Sequence, residues 1–257
     1  MIPFKKKILV IIPVHNQYQY TITALRCIRR ATEQSGADIK TLIIDNASDK
    51  PFPQQMGNVS IIRNEKNLLF AKAINQGLER VEDEDILVLN NDVMLTSSFF
   101  DRMVDGLIAG YDLVGPITNN CAGVQNQGYM TDKRCIFEYP FSGNQCTLNA
   151  IEIEMMSKFE KKFLDVQWLN GFCLFISNKA FREVGFFDEE FPLSGEEIDY
   201  CYRAYDKGFK LGVNRHSFVW HFKGQTVKMH PELKKYWEIS ANKLRKKYKN
   251  RFPRQVL

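Results

Sequence analysis

The sequence predicts an α/β fold in which a mostly parallel sheet is flanked by helices. The first half of the chain alternates apolar strand patterns with helical patterns, which implies right-handed β–α–β units. Within it, the apolar run at residues 86–89 has the composition of a strand buried on both faces, as in a parallel sheet. A third observation concerns function, because three of the predicted strands end in Asn, Asp or His side chains.

The predicted elements follow one another at short intervals. Strands are predicted at residues 7–14 (KILVIIPV), 40–45 (KTLIID), 59–63 (VSIIR) and 85–90 (DILVLN). Helices are predicted at residues 18–31, 68–81 and 97–110, where apolar residues recur at helical spacing. Later in the chain we predict a strand at 171–177, a short helix at 179–184, a helix in the second half of 185–208, and short strands at 209–213 and 217–220. Residues 116–165 lack clear periodicity and predict a loop-rich insertion.

The positive charge of the chain lies at its C-terminal end. Net charge is +5 overall, but residues 231–257, here called the basic tail, carry nine Lys or Arg and two Glu, a net of +7. The preceding 230 residues carry a net of −2, which argues against a nucleic-acid-binding domain, since such a domain has a basic face on its body.

The basic tail has the pattern of an amphipathic helix. Its apolar face would be formed by Leu233, Trp237, Ala241, Leu244 and Tyr248. Such a helix could lie on an anionic membrane surface, or it could pack on the body of the protein with its basic face in solvent. We expect a cytoplasmic protein, with possible peripheral contact at the inner face of the membrane, since no apolar run approaches membrane-spanning length. The six cysteines form no C-x-x-C pair and are expected to be reduced thiols.

The polar strand ends suggest a nucleotide site. Ligands of open α/β sheets bind at the carboxyl ends of the strands, and Asn, Asp and Ser at one such end would alone indicate only a turn. Neither G-x-G-x-x-G nor G-x-x-x-x-G-K-[ST] occurs, which argues against a conventional dehydrogenase or P-loop NTPase. A diphosphate would need another anchor, and a divalent cation held by Asp92 could supply it.

Seven segments, in order, resemble the motif series of inverting family 2 glycosyltransferases with the GT-A fold. They are ILVIIPVHN, LIIDNASD, NLLFAKAINQGL, LVLNNDV, GFCLFISNKAFREVGFFDEEF, GEEIDYCYRAYDKGFKLG and WHFKGQT. The resemblance implies a Rossmann-like, GT-A-like domain over residues 1–230, with a nucleotide-binding half (1–115) and an acceptor-binding half (116–230), followed by the basic tail. It also implies metal-dependent transfer of a sugar from a UDP- or dTDP-sugar to a hydroxyl of a glycan or lipid-linked glycan.

The resemblance implies roles for particular residues. Asp92, in a segment similar to the D-x-D motif, would bind Mn²⁺ or Mg²⁺, and His221 would be a further metal or diphosphate ligand. Glu196 and Glu197 lie where the family has its acidic motif with the catalytic base. The residues implied at the nucleotide and donor sugar are Pro13, His15, Asn16, Asp45, Asn67, Lys72, Asn75 and Asn91.

This sequence departs from the family pattern at three of these places. Leu69 stands where Gly is usual, Asn90 replaces the first Asp of D-x-D, and Glu197 stands where Asp is usual. Ser194 and Glu197 also have the spacing of a capping box, in which Glu197 would turn back to the Ser194 backbone and leave Glu196 free. We expect Glu197 to be the base, because Ser194 could cap the helix alone.

Two other functions fit an α/β nucleotide-binding architecture. One is a non-catalytic nucleotide-sugar or carbohydrate-binding protein, against which Asp92, His221 and the acidic pair all argue. The other is a sugar-nucleotide pyrophosphorylase, which would show a Gly-rich segment with Arg or Lys near the first strand, and none occurs. Release of nucleoside diphosphate only when acceptor is present would separate a transferase from both.

Overall fold

The computed structural model describes residues 5–53, 57–126, 145–222, 234–249 and 251. The strands are β1 (Lys7–Val14), β2 (Asp38–Asp45), β3 (Val59–Arg63), β4 (Asp85–Leu89), β5 (Val93–Leu95), β6 (Leu113–Thr118), β7 (Phe163–Val166), β8 (Cys173–Ile176) and β9 (Leu211–His221). The helices are α1 (Tyr18–Gln34), α2 (Leu69–Leu78), α3 (Phe99–Ile108), α4 (Gln145–Lys158), α5 (Asn178–Val184), α6 (Glu196–Asp206) and α7 (Lys234–Tyr248). A 3₁₀ turn spans Gly123–Gln125.

One sheet organises the described part of the chain. Its strand order is β3-β2-β1-β4-β8-β6-β9-β5, with β7 paired to β9. The predicted α/β fold is confirmed: β3, β2, β1 and β4 are parallel, with α1 between β1 and β2 and α2 between β3 and β4 in the chain. The other half of the sheet has mixed strand directions, because β8 runs antiparallel to both β4 and β6, and β5 runs antiparallel to β9.

The central strands are the most deeply buried part of the sheet. All five residues of β4 are buried, and so are all four residues of β8. This agrees with the prediction from the apolar run at residues 86–89, since a strand covered by helices on both faces has no polar side. The carboxyl end of β4 is therefore a rigid support for Asn90, Asn91 and Asp92.

Several details differ from the sequence predictions, among them the strands β5 and β6, which were not predicted. The two short strands expected at 209–213 and 217–220 are one long strand, β9, whose register against β6 shifts between Pro116 and Ile117. The predicted loop-rich insertion contains β7 and the helix α4 in its described part. The helix α4 gave no clear signal because it also carries an apolar residue on its outer face, Ile153, which is 66% exposed. Leu148, Ile151 and Met155 pack into the core, and Thr96 Oγ1 donates a hydrogen bond to the buried Glu152 at 2.8 Å.

The helix α7 packs against α6. Leu244 and Ala241 are buried, and Leu244 belongs to a small apolar cluster with Phe191, Ile198 and Tyr202. Much of the apolar face of the basic tail is therefore used to pack α7 on the body of the protein, as in the second of the two hypotheses for this tail. The structure lends no support to contact with a membrane. Leu233 lies outside the described residues. No described helix is both long enough and apolar enough to cross a bilayer.

The packing of α7 predicts a large cost for Leu244→Ala. Leu244 is 2% exposed, and truncating a buried leucine removes apolar contacts and leaves a cavity, so we expect a loss of about 2–5 kcal/mol in the free energy of unfolding. Ile239→Ala on the same helix is the control, because Ile239 is 50% exposed and should change stability by about 0.5 kcal/mol or less. Urea unfolding measures both, and equal effects would show that α7 is not docked.

Candidate active site

The pairing of β5 with β9 brings Asp92 and His221 together. Val93 lies opposite His221 in this antiparallel pair, and Asp92 immediately precedes Val93. The His221 Nε2 atom lies 3.3 Å from Asp92 Oδ1, and both side chains are buried. The two residues that the family resemblance assigns to the metal, 129 positions apart in sequence, are thus direct neighbours.

Several contacts fix the orientation of the His221 ring. Its Nδ1 lies 3.0 Å from the carbonyl oxygen of Asn120, and its backbone N–H donates to Asn119 Oδ1 at 2.7 Å. The Phe172 ring stacks on it, with 5.1 Å between ring centroids. Because a carbonyl oxygen can only accept, Nδ1 is the nitrogen that carries the proton. Sequence analysis did not assign this role to Asn119 and Asn120, because it placed them in a loop-rich insertion and did not predict the strand β6 that they follow.

The chemistry of this pair fits a cation. With Nδ1 protonated, a neutral His221 presents the Nε2 lone pair towards the Asp92 carboxylate, so two electron-rich atoms face each other. A proton or a metal ion between them would remove the repulsion. No cluster of three or more His, Cys, Asp or Glu that could hold a metal occurs among the described residues. A metal here would need ligands from the substrate, as Mg²⁺ typically takes from phosphates.

The ends of β1 and β2 are cross-linked by the loop that follows β2. His15 Nδ1 lies 2.9 Å from the Asn46 carbonyl oxygen, and the Asn16 backbone N–H donates to Ser48 Oγ at 2.8 Å. Asn16 Oδ1 in turn accepts from the Asp49 N–H at 2.9 Å. Pro13, at the end of β1, is partly exposed. Four of the predicted nucleotide residues, Pro13, His15, Asn16 and Asp45, therefore lie at one edge of the sheet.

Asp45 is the most deeply buried of these four residues, at 0% exposure. Its Oδ1 accepts the Ser48 N–H at 2.9 Å, and its Oδ2 pairs with the Arg63 guanidinium. Arg63 also donates to the Ser48 carbonyl oxygen at 2.9 Å. The carboxylate of Asp45 thus holds the loop after β2 in this structure. The prediction that it contacts a nucleobase stays a prediction.

A network of amides joins the same loop to the start of α2. Asn46 Nδ2 donates to Asn67 Oδ1 at 2.8 Å, and Asn46 Oδ1 accepts from the Leu68 N–H at 2.8 Å. Asn64 Nδ2 donates to Gln76 Oε1 at 2.8 Å. Asn67 Oδ1 also accepts a hydrogen bond from the Leu69 N–H at 2.9 Å, so Asn67 helps to fix the backbone at the start of α2.

Two other residues that were predicted to contact the nucleotide or the donor sugar lie on α2, where they face the second half of the chain. Asn75 is buried and exchanges hydrogen bonds of 3.0 Å with the backbone N–H and carbonyl groups of Phe187. Lys72 is more exposed and lies 3.7 Å from the carboxylate of Glu189. Asn91, predicted with them, donates to Thr21 Oγ1 at 3.0 Å and ties the end of β4 to α1. Asn75 and Asn91 hold structure, whereas Lys72 keeps an ammonium group accessible.

The acidic pair lies at the start of α6. Glu196 and Glu197 are both buried, and burial is the main cause that raises the pKa of each carboxyl. Glu197 Oε2 accepts the Gly195 N–H at 2.7 Å. Glu196 Oε2 is a buried oxygen with no hydrogen-bond partner, and the nearby Glu197 raises its pKa further. Glu196 therefore holds its proton more tightly than an ordinary carboxyl group.

The predicted capping box takes a different form. Gly195 is the N-cap residue and Ser194 provides no side-chain cap, since the chain enters the helix with Ser194 and Gly195 at φ values of 64° and 95°. Glu197 turns back to the N–H of the N-cap residue, as in a capping box, but one position earlier in the helix than the motif places it. Backbone N–H groups at this helix start, together with that of Gly171, favour the ionised form of Glu197.

The segment Gly171–Phe172 connects the two zones. A Cβ atom on Gly171 would lie 3.2 Å from Glu197 Cβ, so the glycine lets α6 approach closely. The next residue, Phe172, stacks on His221, and its carbonyl oxygen accepts the Asn90 N–H at 2.9 Å. The acidic pair and the Asp92–His221 pair therefore flank the same two residues before β8, Gly171 and Phe172. Sequence analysis placed a strand here but did not identify this link.

Comparison with known proteins identifies the family. The model of glycosyl transferase family 2 matches residues 9–183, which is more than half of the chain. The chain belongs to glycosyl transferase family 2. The resemblance drawn from the sequence motifs is thereby confirmed.

Individual relatives share little sequence identity with this chain. The low-salt glycan biosynthesis hexosyltransferase Agl10 of Haloferax volcanii is 22% identical over 178 residues, which cover 66% of this chain and 55% of that relative. GalNAc-T7, solved with UDP, GalNAc and Mn²⁺, has a TM-score of 0.59 at 14% identity over 85% of this chain and 44% of its own. Residues 1–349 of S. aureus TarS give a TM-score of 0.57 at 15% identity over 93% of this chain and 65% of that one. These structures share the GT-A fold, while this chain spans about half the length of the curated relative.

The backbone at Leu69 predicts an effect of glycine. Leu69 has φ of +66°, the left-handed region that favours glycine, which explains why Gly is usual at this position of the family. We expect Leu69→Gly to be more stable than Leu69→Ala by about 1 kcal/mol, because both lose the side chain and only glycine relieves the backbone strain. Chemical denaturation of the two variants measures the difference, and a more stable alanine variant would contradict the strain.

The buried Glu196 predicts a pH-dependent gain in stability for Glu196→Gln. Because the pKa of Glu196 is raised in the folded state, its contribution to stability is present below the unfolded pKa of about 4.3 and is lost as pH rises towards the folded value. Glutamine loses no proton, so the variant should gain on the wild type between about pH 4.5 and 8, by about 1.4 kcal/mol for each unit of pKa elevation.

Unfolding free energies measured across this pH range provide the check. Glu183→Gln is the control, since Glu183 is exposed and its replacement removes one negative charge from the surface. A difference between Glu196→Gln and wild type that is constant with pH would show that Glu196 is an ordinary carboxylate.

Proposed function

We propose that this glycosyltransferase moves a hexosyl or deoxyhexosyl group from a UDP- or dTDP-sugar to a hydroxyl group of a glycan or lipid-linked glycan, with inversion at the anomeric carbon. The observation that carries the proposal is the placement of Asp92 beside His221 at the same sheet edge as the Glu196–Glu197 pair. Support also comes from the relatives, one described as a hexosyltransferase and one solved with UDP, GalNAc and Mn²⁺.

The nucleotide is proposed to bind at the ends of β1 and β2. A cavity of about 210 Å³ opens there, lined by Asn16, Gln17, Tyr18, Asp49, Lys50 and Phe52. Tyr18 and Phe52 stack with 4.9 Å between their ring centroids and offer an aromatic surface next to Pro13 and His15. Asp45 would act by holding the loop that forms this cavity. Lys72, on α2, would meet the diphosphate or the donor sugar.

Asp92 and His221 are the residues that would hold Mn²⁺ or Mg²⁺. A cation bound there would neutralise the charge that develops on the leaving nucleoside diphosphate. Within the chain itself, Asn119, Asn120 and Phe172 orient the His221 ring, so that Nε2 and the Asp92 carboxylate converge on one point. Such orientation of ligands by surrounding groups is usual in metal sites.

Glu197 is the proposed catalytic base. Its carboxylate would take the proton of the acceptor hydroxyl while the oxygen attacks the anomeric carbon and the bond to the diphosphate oxygen breaks on the opposite side. Burial raises the pKa of Glu197, while backbone N–H groups counteract this rise by favouring the ionised form that a base requires. Glu196, whose pKa burial and Glu197 raise well above the usual value, would remain protonated and keep the pair at one negative charge.

A nucleotide-sugar panel tests the donor and the metal together. In thermal shift assays with Mn²⁺, a UDP- or dTDP-sugar should raise the melting temperature, because a ligand that binds only the folded state stabilises it. Asp92→Ala should abolish this shift and lower kcat/KM by more than tenfold, a loss above about 1.4 kcal/mol. Asp38→Ala, an exposed carboxylate at the far end of β2, is the control. Retention of more than a tenth of kcat/KM by Asp92→Ala would refute the metal role.

Isosteric changes in the acidic pair identify the base. Glu197→Gln should lower kcat by about a hundredfold or more, because an amide cannot take a proton, while donor binding stays near the wild-type value. Glu196→Gln should be the milder change under this assignment. Both are measured by nucleoside diphosphate release in the presence of acceptor. Normal turnover by Glu197→Gln with an inactive Glu196→Gln would assign the base to Glu196.

A further inference from the structure

The helices α6 and α7 lie side by side and run in the same direction. Ser240 Oγ lies 3.4 Å from the N–H of Leu193, just before α6, and Leu244 packs against Gly195 at its N-cap. One turn later, Tyr248 donates to Asp199 Oδ1 at 2.7 Å. Later residues of α7 therefore contact later residues of α6, as expected for two parallel helices.

This alignment places the first turns of α7 beyond the start of α6. Trp237 precedes Leu244 by seven residues, which corresponds to about 10 Å along the helix axis. Spacings of four and seven residues also put Trp237, Ala241 and Leu244 on one face of α7. That face is the one turned towards α6, so Trp237 lies past the helix start that carries Glu196 and Glu197.

Exposure changes abruptly along this face. Ala241 and Leu244 are 4% and 2% exposed, whereas Trp237 is 41% exposed. Burial of this face therefore ends at Ala241, and Trp237 lies beyond the start of α6, which Leu244 marks by its contact with Gly195. Indole is the largest flat apolar surface among the side chains, and its N–H can donate one hydrogen bond.

Ion pairs anchor α7, the helix that carries Trp237. Lys243 donates to Asp188 at 3.1 Å and to Glu190 at 2.5 Å, and Lys247 lies 2.5 Å from the buried Asp199. Both anchors join α7 to the segment that contains the acidic pair. Motion of Trp237 relative to Glu197 is therefore restrained, as binding of an oriented acceptor requires.

We propose that Trp237 binds the acceptor, with its indole face against the apolar C–H face of the acceptor's sugar ring beside Glu197. The inference rests on the proposed function, and it assigns the α7 helix as one wall of the acceptor site. A sugar ring stacked there would present its hydroxyl groups towards the acidic pair. The basic tail would then serve substrate binding in addition to packing.

Binding of octyl glycosides to the protein loaded with UDP and Mn²⁺ tests the proposal without requiring turnover. The probes are octyl glucoside, octyl galactoside and octyl N-acetylglucosaminide, used below their critical micelle concentrations and detected by saturation-transfer NMR. At least one should bind with its ring C–H protons closest to the protein. Trp237→Ala should raise the Kd of that glycoside by about tenfold, and Trp237→Phe by about threefold or less.

Matched controls separate this proposal from its alternatives. Ile239→Ala, an exposed apolar residue on another side of α7, should leave the glycoside Kd unchanged, and the thermal shift produced by UDP with Mn²⁺ should be the same in all three variants. Contact through the octyl chain alone, failure of every glycoside to bind, or an unchanged Kd in Trp237→Ala would overturn the proposal. Failure of wild-type protein to bind any UDP- or dTDP-sugar would instead count against the proposed function.

Discussion

The register between β5 and β9 is the constraint on which the site depends. Because Val93 lies opposite His221, the Asp92 carboxylate and the imidazole of His221 meet at 3.3 Å. A slip of one residue in this pairing would turn one of the two side chains to the other face of the sheet. The deeply buried β4 holds the Asp92 side, and Asn119, Asn120 and Phe172 hold the His221 side. The pair is thus fixed by the sheet before any ligand arrives.

The two charged zones of the site have different electrostatic environments. Asp92 and His221 converge so that a positive charge between them is favourable. The acidic pair is enclosed, so that burial raises the pKa of both carboxyl groups; backbone N–H groups surround Glu197, whereas one Glu196 oxygen has no hydrogen-bond partner and favours a bound proton. Gly171 and Phe172 separate the zones by a short stretch of backbone. In the proposed mechanism, leaving-group stabilisation and proton removal would act on opposite sides of one donor sugar.

Much of the fold followed from the sequence, for identifiable physical reasons. The alternating first half has continuous apolar strands and amphipathic helices, and its parallel strands and helices appear close to where the patterns place them. The helix α4 was not predicted because it carries the exposed Ile153 as well as the core residues Leu148, Ile151 and Met155, and because a charged residue, Glu152, is buried among them with Thr96 as its partner. Of the site, motif order supplied Asp92 and His221, but the roles of Arg63, Asn46 and Asn120 depend on contacts between distant segments.

The most direct test of the account is the identity of the ligands to a bound metal. Electron spin echo spectroscopy of the protein with UDP and Mn²⁺ detects nitrogen-14 nuclei bonded to the manganese. The account predicts a histidine nitrogen coupling in the wild type that disappears in His221→Gln and persists in His216→Gln, whose ring contacts the Phe159 carbonyl oxygen. A manganese–UDP complex without a histidine coupling, or a coupling that survives His221→Gln, would contradict the assignment of the Asp92–His221 pair as the metal site.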